Sequence, residues 1–147
     1  MIRIFTSLKP VIISGFICYL LLTFIIMKEI IDKYGTFSDA LISKVCYERG
    51  VEDHGKIELV LNAMNMNRDG RFDKIKLTFS NILNFRFIEP FPFSSLIIYE
   101  ALIFEKEETI VFNFFPQINM EENTDNEESN FRIVCKSVEC ELLETFE

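Results

Sequence analysis

Four groups of residues carry side chains that could do chemistry, and each can be weighed against what that chemistry requires. Asn65-x-Asn67-x-Asp69-Gly70 places oxygen donors at the first, third and fifth positions of a calcium loop, with glycine at the sixth. The pattern fails at its ends. Position 1 is a neutral Asn, and position 12 is Lys76, whose ammonium repels a cation where a bidentate Glu is needed. The segment reads as a hairpin turn. His54, the single histidine, stands beside Glu52 and Asp53, a pairing that could orient an imidazole for general-base work. No Ser or Cys nucleophile occupies a recognisable elbow, so His54 reads as a solvated surface residue. Cys18, Cys46, Cys135 and Cys140 show no CxxC spacing, and with one histidine they do not compose a four-ligand zinc site. Cys135 and Cys140, five apart, read as small buried hydrophobes that could share a face only across a β-bulge. Neither enzyme activity, a cofactor nor a metal is expected.

The fourth group is acidic. Glu121, Glu122, Asp125, Glu127 and Glu128 lie in a polar run, QINMEENTDNEESN, that has no periodicity and reads as a mobile loop. Carboxylates concentrated this way could dock a basic protein surface. The formal net charge of -8 is unevenly spread. Residues 38–147 hold eleven basic and twenty-one acidic side chains, while residues 1–37 are weakly basic. An acidic field of that kind repels phosphate backbones and excludes nucleic acid as a partner. Three cysteines in the larger part fit reduced thiols better than a disulfide framework, which favours a cytoplasmic location.

The elements that must position these groups follow from hydropathy. Residues 11–27 hold no charge and, counted from Pro10, reach the lower limit for a membrane-spanning helix. Residues 10–27 are therefore expected to be a membrane anchor, the alternative being a helix packed on the remainder of the chain. Helical pattern continues to Gly35, a C-cap candidate. Residues 40–50 read as a first strand. Lys56–Met66 alternates with Ile57, Leu59, Leu61 and Ala63 inward, and after the Asn-Asp-Gly turn Ile75, Leu77 and Phe79 face inward too. These runs predict a hairpin. SNILNFRFIEP reads as a separate short strand or edge segment. SSLIIYEALIFEKE and ETIVFNFFP predict a second hairpin around Glu105–Glu108, apolar on both faces and so covered on two sides. In FRIVCKSVECELL, Phe131, Ile133 and Cys135 are out of phase with Val138, Cys140 and Leu142. A bulge near Lys136–Ser137 would reconcile them.

The succession FDKIKLTFSNILNFRF, SSLIIYEALI, TIVFNFFP and FRIVCKSVECELL, over residues 40–147, resembles small β-rich bacterial immunity proteins of polymorphic and contact-dependent toxin systems. The resemblance implies a non-enzymatic module that binds and neutralises a partner toxin. The expectation is thus a mainly β chain with two parts. Residues 1–37 hold an apolar helix and linker. Residues 38–147 form an antiparallel sandwich or strongly curved sheet of six to eight strands. The alternative function is a membrane-tethered β domain that binds a lipid or small apolar ligand among its Phe side chains.

Overall fold

The computed structural model describes residues 16–50, 54–89, 96–117 and 123–146, with side chains described from Ile25 onward and not for Leu96. The helix α1 (Phe16–Tyr34) precedes seven strands: β1 (Ala40–Glu48), β2 (Lys56–Met64), β3 (Phe72–Phe87), β4 (Leu96–Ile98), β5 (Leu102–Lys106), β6 (Thr109–Asn113) and β7 (Phe131–Thr145). All pair antiparallel in one sheet of order β4-β1-β2-β3-β7-β6-β5. Of the two architectures expected, the curved sheet is the one present.

Chain connectivity enforces the curvature. β4 and β5 occupy opposite edges, yet only Tyr99–Ala101 separates them in sequence. Four Cα steps of about 3.8 Å span at most ~15 Å. Six flat interstrand spacings of about 4.8 Å would need ~29 Å. The sheet must therefore curl until its edges approach. At the gap the chain after α1 enters as a plug: Ala101 N–H donates to the Thr36 carbonyl at 2.7 Å, and Phe37 is fully buried.

The expected β2–β3 hairpin is present, in register from Lys56↔Ser80 to Met64↔Phe72, with all the assigned inward residues buried. SNILNFRF is not a separate strand, however. It is the second half of β3, a 16-residue strand that beyond Ser80 pairs, among the described residues, with β7 alone. Proline terminates strands, but the two prolines of that region lie at positions 90 and 92, beyond the strand end. The second hairpin also differs. Its first arm breaks at Tyr99–Ala101: Leu96–Ile98 pairs with β1, and only Leu102–Lys106 pairs with β6. Burial of Ile98 and Ala101 on either side of exposed Tyr99 and Glu100 fixes the break. Strand β6 is covered on two sides as expected, with Ile110, Val111, Phe112 and Asn113 all buried.

The phase step in β7 occurs where expected, since Cys135 and Val138 are both buried. It does not shift the ladder. β3 steps at the same level, with Asn81 at φ 54°, so Ser80 still faces Ser137 and Ile82 faces Cys135. The extra residues are Leu83 and Leu143, farther along. The double step lies where β2 stops pairing with β3 and β6 begins pairing with β7, which makes it the corner between two staggered halves of the sheet. Asn tolerates the left-handed region better than most residues because its short side chain can bond locally.

Helix α1 buries Met27, Ile30 and Tyr34, an i, i+3, i+7 stripe laid against the core. It ends as expected at Gly35 (φ 57°), whose N–H reaches the Ile31 carbonyl at 2.7 Å. Residues 10–15 of the expected membrane segment lie outside the described residues. Among the described residues no helix is long and apolar enough to cross a membrane. The interior is occupied by rings in contact: Phe79 meets Phe112 edge-on at 5.0 Å, and Phe131 meets Phe87 at 4.9 Å and Phe114 at 4.7 Å.

One turn glycine is irreplaceable on steric grounds. At Gly55 (φ 90°) an added Cβ would lie 3.0 Å from Tyr47 Cε2 and 3.1 Å from the Glu48 carbonyl oxygen. Gly55→Ala is expected to destabilise by about 1–3 kcal/mol, read as a lowered melting temperature. An unchanged melting temperature would contradict this packing.

Candidate functional site

In its described part, residues 123–130, the acidic run is held by a set of specific bonds. Residues 123–130 fold over the outer face of β3, β7 and β6 through a dense set of local bonds. Asn126 Oδ1 accepts the Glu128 N–H at 3.0 Å, and the Ser129 N–H donates to the Asn126 carbonyl at 3.0 Å. The Asn130 carbonyl accepts the Ile88 N–H at 2.7 Å, and Gln117 and Thr124 exchange backbone bonds at 3.1 Å.

What draws the segment down is electrostatic. In the β3–β7 ladder Arg86 lies directly opposite Arg132. Like charges facing each other across a ladder destabilise it unless counter-charge is supplied. The loop supplies it. Asp125 accepts from Arg132 Nε at 3.0 Å and Nη2 at 2.7 Å, a two-pronged pair, and from Asn113 Nδ2 at 3.0 Å. Asn113 is fully buried, and its own Oδ1 accepts the Phe115 N–H at 3.1 Å. The Arg132 guanidinium, followed by the Asn113 amide, holds the Asp125 carboxyl below its usual range against the opposing effect of partial burial. Glu128 forms a looser ion pair with Arg86 Nη2 at 3.3 Å, its carboxylate 83% exposed.

The five acidic candidates therefore separate. Asp125 is bound inward and supports the loop. Glu127 and Glu128 project into solvent beside it. Glu121 and Glu122 lie outside the described residues. Composition alone could not make this division. The available signal was Arg132 on a strand adjoining an acidic run, a buried-cation candidate that went unassigned.

The turn that imitates a calcium loop serves a different carboxylate. Asn65 Nδ2 donates to Asp73 Oδ2 at 2.7 Å, while its Oδ1 accepts the Asn67 N–H at 2.9 Å. Asp69 and Gly70 take left-handed φ of 52° and 76°, as expected of a tight turn. Asp73 is fully buried and also accepts from Arg68 Nη1 at 2.9 Å and from the Tyr34 hydroxyl at 3.2 Å. Burial, then the neighbouring Cys140 and Asp73, pushes the Tyr34 hydroxyl above the usual tyrosine range. The hub joins turn to helix, reinforced by the Met66 N–H on the Lys33 carbonyl at 2.9 Å. Asp73 was legible and overlooked: it shares the inward phase of Ile75, Leu77 and Phe79, where a carboxylate needs partners.

His54 is exposed, and its neighbours Glu52 and Asp53 lie outside the described residues. Burial raises the Cys135 thiol to about 12 and the Cys140 thiol to about 11, which leaves both as poor nucleophiles. Among the described residues no group of three or more His, Cys, Asp or Glu is placed to hold a metal ion. Comparison with protein-family models, with curated proteins and with solved structures finds no match for this chain.

Proposed function

We propose that this chain is a non-enzymatic protein-binding module, of the kind that inhibits a toxin by occupying a surface the toxin needs, as in β-rich immunity proteins. The observation that carries the reading is the Asp125–Arg132–Asn113 clasp. It holds the loop backbone against the sheet, so that Glu127 and Glu128 are presented to a basic partner without first being ordered. Preorganised charge lowers the entropic cost of association and speeds encounter. The Phe side chains that an apolar ligand would contact are in ring-to-ring contact with one another, so the alternative reading gains no support from them.

The test starts from affinity capture of the tagged full-length chain from its native host, with membrane and soluble fractions kept apart. The fraction holding the chain tests the anchor expected at residues 10–27. The captured partner, purified, is then titrated against the chain and against a variant with Glu121, Glu122, Glu127 and Glu128 each changed to Lys. The variant is expected to keep its circular dichroism spectrum and to bind about tenfold more weakly or worse. Equal affinity would remove the acidic loop from the interface and with it this reading.

A further inference from the structure

The outer face beside the clasp carries a groove of about 560 Å³ lined by Asn84, Arg86, Lys106, Thr109, Glu128 and Arg132, among others. We propose that this groove is an oxyanion site, taking a carboxylate or phosphate group on Arg86 with Lys106 as its second cation. This goes beyond the partner reading above, which assigns the acidic groups and Arg132 and leaves Arg86 and Lys106 unused.

Three observations converge on Arg86. Its Nε is buried and has no hydrogen-bond partner among the described residues, an expensive condition for a charged donor. Among the described residues its Nη2 is held by Glu128 alone, at 3.3 Å. Nε and Nη2 form the edge of the guanidinium that engages both oxygens of a carboxylate or two of a phosphate. One edge thus has one loosely held donor and one buried, unpaired donor that becomes reachable only when the groups over it move. Lys106 borders the same groove and forms no ion pair among the described residues. Arg132 is already matched by Asp125 and serves as wall rather than ligand.

The acids that face the groove define how the site works. Glu127 borders Arg132, and Glu128 occupies the position of an incoming anion. Glu128 is therefore an internal competitor. Its carboxylate must leave Arg86 before an external oxyanion binds, and its high exposure makes that departure cheap.

The test uses the full chain labelled with ¹⁵N-arginine, following the Arg86 Nε–H resonance while inorganic phosphate or succinate is added at constant ionic strength against a chloride reference. A saturable shift is expected, and saturation with one anion only assigns the source. Glu128→Gln should tighten binding about two- to fivefold by removing the competitor, while Lys106→Gln, an exposed change, should weaken it about threefold. Shifts that match the chloride reference would overturn the proposal, as would an unchanged constant in Glu128→Gln.

Discussion

Asp73→Ala is expected to lower folding stability by about 3–5 kcal/mol, because it removes the shared acceptor of a buried cluster and leaves several donors behind. Tyr34 from the helix, Asn65 and Arg68 from the turn all point at one carboxylate that is fully buried. The loss should appear as a lower urea midpoint at unchanged slope. Tyr34→Phe, which deletes one hydroxyl and leaves the Asn65 and Arg68 bonds, should cost only about 1 kcal/mol. The double variant should cost less than the two single losses together, since the Tyr34 contribution exists only while Asp73 is present. A single Asp73→Ala loss below about 1 kcal/mol would show that the cluster is not what holds the turn to the helix. Binding through Glu127 and Glu128, on residues apart from this hub, should survive wherever the variant remains folded.

Asp125→Ala should have the second-largest effect, about 2–3 kcal/mol, because Arg132, 7% exposed in the parent chain, loses its paired carboxylate. Its distinguishing mark is local. The Glu128 and Ser129 amides, now bonded to Asn126 in the pinned loop, should exchange with solvent much faster than in the parent chain. The pH dependence follows in sign. Arg132 depresses the folded carboxyl below the unfolded value of about 3.9, so the folded state holds the charged form more tightly. That contribution is complete above the unfolded value and is lost as pH falls below it towards the folded one. The stability difference between the parent and Asp125→Asn should therefore shrink on going from about pH 6 to below about pH 4. A difference that stays constant across that window would mean that the pair does not titrate as its geometry requires.

These two clusters also mark where reading the chain succeeded and where it stopped. Period-two alternation in Lys56–Met64 and Phe72–Phe79 specified which side chains enter the core, because a strand offers only two faces and apolar residues fill one. The same logic placed the C-cap at Gly35 and the phase step after Cys135. It left Asp73 without a role, although Asp73 shares the inward phase of Ile75, Leu77 and Phe79. It parted the second half of β3 from the first, since local pattern does not say where a strand's neighbours lie.

Alternation, turn chemistry and charge are local quantities, and by themselves they determined a mainly β chain with an acidic loop and an apolar helix ending at Gly35. Only the tertiary structure decided that Leu96–Ile98 and Leu102–Lys106 lie on opposite edges of one sheet, drawn together by three residues. Only it decided that Asp125 faces inward while Glu127 faces solvent. The reason is physical. Arg86 and Arg132 are far apart in sequence, and the need for counter-charge arises only when β3 and β7 bring them face to face.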